Sequence, residues 1–376
     1  MKYDYLIVGA GFAGSVIAER IATQLHKQIL IIDRRDHIGG NSYDYRNGLG
    51  ITIHKYGPHI FHTNSKKVWE YISQFTDWRY YFHKVLAMID GELVTIPFNF
   101  NSLYQLFPPN YAKKIEKKLL ENYQFGLKIP IFKLLQSKDN DLKFLADYIY
   151  KNVFLGYNLK QWGITPDELD PSVANRVPIL LNRDNRYFQD QYQGIPLEGY
   201  AKIFERLLDN PNIELKLNTD FKNIINEIEY DNLIYTGAID EFFDYEFGEL
   251  PYRSLRFVFK NLEIEQYQPI ALINYPNNYD FTRISEYKHF LNEKSINTTI
   301  SMEYPEPFEI GKNERYYPIP KEDNNQIYEK YTHKAKTLQK NVRFIGRLAE
   351  YKYYNMDQVI GVALLEFEKI KREIKI

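Results

Sequence analysis

No cysteine occurs in the 376 residues. That excludes disulfide scaffolds, thiolate-bound zinc, iron–sulfur clusters and thiol nucleophiles, and it fits a cytoplasmic protein. No run of about 18 uncharged apolar residues is present, which excludes a membrane-spanning helix. The apolar stretch Leu6-Ile7-Val8 is too short for a secretory signal. Nor is charge of either sign in excess: 48 basic residues against 49 acidic ones leave a formal net charge of −1. A nucleic-acid footprint spread over the molecule is therefore not expected, whereas a local basic site for a small anion is allowed. Internal repeats and low-complexity linkers are absent. What is abundant is rings: 33 Tyr, 24 Phe and 3 Trp make 16% of the chain, material for pockets that stack bases and donate hydroxyls as well as for ordinary cores. The length suggests two or three domains.

The first forty residues carry the sharpest pattern. Tyr5–Val8 reads as a buried parallel strand. It runs into Gly9-Ala10-Gly11-Phe12-Ala13-Gly14, a helically spaced segment Ser15–Ala22, and a second apolar strand, Gln28–Ile32, that ends at Asp33. Strand, Gly-x-Gly-x-x-Gly, helix, strand, acid is the order of a dinucleotide-binding unit. Gly9 permits the tight turn, Gly11 lets a pyrophosphate approach the backbone, and Gly14 lets helix and strand pack closely. The helix N-terminus then faces the phosphates, and Asp33 accepts hydrogen bonds from the adenosine ribose. After Arg34-Arg35-Asp36-His37-Ile38 come Gly39-Gly40-Asn41. A glycine pair soon after the acid resembles the extended signature of the glutathione-reductase-like and amine-oxidase-like FAD families, which favours FAD over NAD.

Later segments complete such a fold. Ile234–Gly237 and Asn341–Gly346 read as strands closed by glycine, and Met356–Ile374 as a helix with apolar positions at Val359, Ile360, Val362, Ala363, Leu365 and Phe367. The predicted fold class is α/β: a Rossmann-like FAD-binding domain with an inserted helical domain and an inserted antiparallel β-sheet domain. The expected FAD-binding domain is 1–82 with 205–240 and 318–376. The helical lid and substrate domain is expected over 83–183, and the β-sheet substrate domain over 184–204 with 241–317.

Several segments together resemble the bacterial UDP-galactopyranose mutases. They are His54-Lys55-Tyr56-Gly57-Pro58-His59-Ile60-Phe61-His62-Thr63, Gly156-Tyr157-Asn158-Leu159-Lys160-Gln161-Trp162-Gly163, Arg176-Val177-Pro178, Asp184–Phe188, Tyr192–Pro196, Pro251–Leu255, Phe281–Phe290, Tyr316–Ile319 and Gly346–Met356. They occur in order over nearly the whole chain. The resemblance implies that Arg176 and Arg283 hold the diphosphate of a UDP-sugar, with Arg253 as a further site arginine and Tyr187, Tyr317 and Tyr353 as diphosphate-contacting tyrosines. It implies a mobile lid at Trp162, a uridine site at Tyr157 and Asn158, and His83 near the substrate. It sets His59, Ile60 and His62 beside the isoalloxazine. The remaining FAD contacts are Gly9, Gly11, Phe12, Ala13, Gly14, Asp33, Arg34, Gly40, Asn41, Arg347, Asn355 and Met356. Arg176, Arg283 and His62 are the candidates for catalysis.

The residue types suit these roles. Arginine pairs in bidentate fashion with a diphosphate, and tyrosine adds hydroxyl donors. His54, His59 and His62 are not read as a metal site, because no neighbouring carboxylate in the sequence completes a zinc geometry. Asn355 departs from the family, in which Asp is frequent at this place. An amide cannot carry the negative charge, although either residue serves as a helix N-cap.

The resemblance implies interconversion of UDP-galactopyranose and UDP-galactofuranose through a reduced-flavin N5–sugar adduct. There is no net redox, and the product supplies galactofuranose for cell-surface polysaccharide. A homodimer is expected, with no nucleic-acid partner and no insertion into a membrane. Two alternatives stay open: a flavin oxidoreductase of amine-oxidase type, and a UDP-sugar-binding homologue without activity.

Overall fold

The computed structural model describes residues 2–168, 177–319, 321–338 and 341–374. At its centre is a five-stranded parallel sheet in the order Ile213–Lys216, Ile29–Ile32, Lys2–Val8, Glu229–Tyr235, Asn341–Phe344. Its inner strands are buried and apolar at Leu6–Ile7, Ile29–Ile32 and Leu233–Ile234 because both faces are covered there, the condition under which parallel strands lose their alternation. Val16, Ile17 and Ile21 from helix Phe12–Leu25 cover one face, with Phe204 from Tyr200–Leu208 and Phe367 from Met356–Ile374. Phe221, Ile224 and Phe242 pack on Leu6, Leu30, Ile32 and Leu233 on the other.

A second, seven-stranded sheet runs Tyr317–Pro318, Tyr252–Leu262, Thr298–Pro307, Arg283–Glu286, Leu272–Asn274, Val85–Ile89, Glu92–Ile96. It is antiparallel except where Leu272–Asn274 meets Val85–Ile89. Two pairings depart from the expected segment boundaries. The hairpin 85–96, expected among the helices, closes the edge of this sheet: Val85, Ala87 and Ile89 alternate inward, a period-2 signal masked by the helical segments C-terminal to it. Tyr192–Pro196, expected to belong to this sheet, pairs instead with Phe61–Thr63 and Trp78–Tyr80 beside the parallel sheet.

The helical part has its own core of Phe100, Leu103, Ile115, Leu119, Leu145 and Ile149. Asn99 and Ser102 form a reciprocal capping box at Phe100–Leu106. Asp139 caps Asn140–Ile149, which continues through a π-helical stretch, Tyr150–Leu155, into Gly156–Trp162 without leaving helical dihedrals. Gly163, at φ 72°, ends that helix in the left-handed region, where glycine carries no Cβ penalty.

Beneath the junction of the sheets lies His54, stacked on Phe290 with ring centroids 5.4 Å apart. Its Nδ1 accepts the His59 backbone N–H at 2.9 Å, so the ring is neutral there, and burial lowers its pKa to about 3. The unfolded chain takes up a proton at this residue near pH 6.5 that the native state refuses until about pH 3. Stability from this group is complete above pH 6.5 and declines by about 1.4 kcal/mol per pH unit below it. Asn at 54 keeps an acceptor and removes the titration. We expect denaturant melts of His54→Asn to show a pH slope between pH 6 and 4 that is shallower than wild type by about that amount; equal slopes would mean that His54 titrates normally in the fold.

Candidate functional site

A cavity opens at the C-terminal ends of the parallel strands, the edge at which open α/β sheets take ligands. Gly9, Gly11, Phe12, Ala13, Asp33, Arg34, Gly40, Asn41, His59, Arg347 and Met356 line it. Gly9 and Gly40 sit where a side chain would crowd its neighbours. Gly9 has φ 103°, and a Cβ on it would lie 2.1 Å from Thr236 Oγ1. A Cβ on Gly40 would lie 3.2 Å from the Gly11 Cα, so two bare backbones face each other. Helix Phe12–Leu25 starts at Gly11 without a side-chain cap or an acid in its first turn, which leaves its N–H groups and positive dipole end for an anion. Asp33 accepts the Ala10 and Arg35 N–H groups at 2.9 Å each and keeps further lone pairs for a ribose. This cradle fits a dinucleotide such as FAD.

Three of the expected cofactor residues support this cavity rather than line it. Gly14 is the contact point of helix and strand. Ile60 is buried with Ile51, Ile53 and Ile195. Asn355 precedes the last helix; its N–H donates to Gln358 Oε1 at 2.8 Å, the return half of a capping box, and its carbonyl accepts from Val359 N–H at 3.1 Å. The acid of that first turn is Asp357, whose Oδ2 accepts from Thr63 Oγ1 at 2.9 Å.

A second cavity lies between the helical part and the seven-stranded sheet. Tyr157, Asn158, Trp162, Tyr187, Arg283, Tyr317 and Tyr353 line it. Arg283 donates through Nε and Nη2 to Glu303 Oε2 at 2.8 and 2.7 Å. Burial by itself would weaken the guanidinium, but the Glu303 carboxylate raises its pKa well above the ordinary value, so a fixed cation stands in the wall. Burial likewise keeps the Tyr157 and Tyr317 hydroxyls protonated as donors. Tyr317 and Tyr353 meet edge to face at 5.0 Å, and Trp162 packs on both. Gln161 and Asn274 also line the cavity, and their buried Oε1 and Oδ1 atoms have no hydrogen-bond partner among the described residues. A ligand's N–H or O–H groups would satisfy them.

Arg347 stands between the two cavities. It lines the first, while its guanidinium lies 5.5 and 5.7 Å from the Tyr317 and Tyr353 ring centroids of the second. Donation to the Tyr316 and Tyr354 carbonyls fixes it there.

The remaining candidates lie behind these walls. His62 and His83 stack on Phe188 at 3.6 and 6.0 Å. His62 Nδ1 is 2.5 Å from Asp190 Oδ2, a carboxylate 128 positions away that sequence spacing did not reveal. Burial, with the nearby Arg283 charge, lowers His83 to about 3 and holds it neutral. Arg253 does not line the second cavity; its Nε and Nη2 donate to the Gln161 and Lys160 carbonyls at 2.8 and 3.0 Å, closing the C-terminus of helix Gly156–Trp162. Arg176 lies outside the described residues. Among the described residues no three His, Cys, Asp or Glu side chains converge as metal ligands.

A profile of the UDP-galactopyranose mutase family matches residues 152–353, and one of NAD(P)-binding Rossmann-like domains matches 7–75. The UDP-galactopyranose mutase of Mycoplasma genitalium is 36% identical over 98% of this chain and 95% of its own. The chain belongs to the UDP-galactopyranose mutase family. A dTDP-fucopyranose mutase of Escherichia coli is also 36% identical, over 96% of each chain. A crystal structure of reduced UDP-galactopyranose mutase superposes with a TM-score of 0.74 over 98% of this chain and 94% of that one; at 16% identity that likeness speaks to the fold.

Within this family member the Arg283–Glu303 pair sets a testable balance. Arg283→Ala removes a charge-assisted donor, worth roughly 1.5–3 kcal/mol or 10–100-fold in affinity for UDP used as probe. It also strands Glu303, at a stability cost of about 3–5 kcal/mol. The double variant Arg283→Ala/Glu303→Gln should recover most of the stability but none of the affinity. Calorimetric UDP titration checks this, and wild-type affinity in the double variant would take Arg283 out of the ligand site.

Proposed function

We propose that this chain, with FAD in the first cavity, interconverts UDP-galactopyranose and UDP-galactofuranose in the second. The observation that carries the reading is Arg347, which lines the first cavity and lies against the Tyr317 and Tyr353 rings of the second, where Arg283 stands as a fixed cation. In this reading Tyr157, Asn158, Gln161 and Trp162 take the uridine. Arg283 and the hydroxyls of Tyr187, Tyr317 and Tyr353 take the diphosphate. These groups hold the diphosphate in place while its bond to the anomeric carbon is broken and later remade, so stabilisation falls where charge develops. Reduced FAD supplies the nucleophilic nitrogen for the anomeric carbon. Trp162 and the tyrosine rings keep water from the opened sugar. A half-buried cation in the substrate wall disfavours the amine substrates of flavin oxidases, which are themselves cations. The same reading makes the product a donor of galactofuranose for cell-surface polysaccharide, formed in the cytoplasm by a homodimer. No helix among the described residues is long and apolar enough to cross a membrane.

A dTDP-fucopyranose specificity is the second reading, favoured by the equal identity of that relative. We expect the purified protein to carry about one FAD per chain, releasable by heat. After dithionite reduction it should convert UDP-galactofuranose at least about tenfold faster, in kcat/KM, than dTDP-fucofuranose. The reverse preference would transfer the assignment to the second reading, and a protein that takes up no FAD would contradict both.

A further inference from the structure

Helix Gly156–Trp162, which brings Tyr157, Asn158, Gln161 and Trp162 to the second cavity, leans on the loop 275–281. The join is close. A Cβ on Gly156 would lie 2.4 Å from the Pro276 carbonyl oxygen, so helix and loop touch backbone to backbone. Asn277 Nδ2 donates to the Asn152 carbonyl at 3.0 Å. Lys160 Nζ donates to the carbonyls of Tyr275, Tyr279 (2.9 Å) and Phe281 (3.1 Å). An ammonium has three hydrogens, and all three are committed to the backbone of one loop. These partners are neutral, and burial lowers the amine's pKa to about 8 against the pull of Asp280. Phe281 stands two residues before Arg283, which opens the next strand. On the helix side, Arg253 holds the carbonyl of Lys160 itself.

We propose that Lys160 is a positioning residue. It ties the helix that carries the nucleotide contacts to the loop that leads into Arg283, and so fixes the spacing between the nucleoside end and the diphosphate end of the site. It does not line the cavity. A substrate that must bridge helix and arginine is bound less well when the tie is cut, whereas the groups around the anomeric carbon are left in place. The effect therefore falls on KM and nucleotide affinity rather than on kcat. The cage of three carbonyls is shaped for a compact ammonium and not for a planar guanidinium.

This inference rests on the reading that the second cavity takes a nucleoside diphosphate sugar, so UDP binding to the reduced, FAD-loaded wild type is measured first. An absence of binding there would overturn that reading, and this inference with it. With binding established, Lys160→Ala should raise the UDP Kd and the KM for UDP-galactofuranose by about tenfold or more. Its kcat should stay within about threefold, with FAD content and Tm close to wild type. Propylammonium, which replaces the deleted stem and head, should lower the variant's KM by at least about threefold; tetramethylammonium at the same ionic strength, having no N–H, should not. An unchanged KM overturns the proposal, as does rescue by both cations alike or a joint loss of kcat, FAD and Tm. Lys160→Met keeps the stem and deletes the donors; it is read in the same way if the alanine variant does not accumulate.

Discussion

The carbonyl oxygen of Gly9 occupies the space that any side chain at position 14 would need: a Cβ on Gly14 would lie 1.9 Å from it. Because residue 14 has none, helix Phe12–Leu25 lies directly against the strand Lys2–Val8 and starts at its very end. The uncapped N–H groups at Gly11 therefore open onto the sheet edge, where Asp33, Thr236 and Gly346 also end their strands. The first cavity is the consequence of that close packing. Once the sheet order is set, the last strand delivers Arg347 to the side of the cavity that faces the tyrosines.

The second cavity is organised by cations that are held before any ligand arrives. Arg283 is fixed by Glu303, Arg253 by the carbonyls that end a helix, and Arg347 by two loop carbonyls and two aromatic faces. Each arrangement orders a long side chain during folding rather than during binding, so less rotamer entropy is lost when substrate arrives. The pairing with Glu303 also keeps the empty wall from carrying an uncompensated buried charge, which would cost several kcal/mol. Around these cations the rings of Trp162, Tyr317 and Tyr353 form an apolar rim in which charge interactions are less screened than in water.

The dinucleotide unit was readable from sequence because its chemistry is local: Gly9, Gly11, Gly14 and Asp33 lie within one strand–helix–strand and their spacing is the signal. The second site was readable only through family resemblance, since Tyr157, Tyr187, Arg283, Tyr317 and Tyr353 are gathered from distant segments by a sheet whose order no local pattern states. The same distance hid Glu303 and Asp190, the partners of Arg283 and His62. Asn355 shows the limit of a substitution read alone: an amide there cannot carry the charge that the resemblance led us to expect, yet it still begins the helix, and Asp357 keeps a negative charge in the first turn. The hairpin 85–96 was missed because its alternation spans only a few residues before helices begin.

The central claim is that the two neighbouring cavities together rearrange a sugar without net transfer of electrons to or from it. The most direct measurement is an anaerobic time course in which dithionite-reduced protein, freed of excess reductant, receives UDP-galactofuranose while flavin absorbance and sugar composition are followed together. The account predicts many UDP-galactopyranose molecules formed per flavin, with the flavin remaining reduced and no electron acceptor required. Product limited to one per flavin, or formed in step with flavin reoxidation, would contradict it.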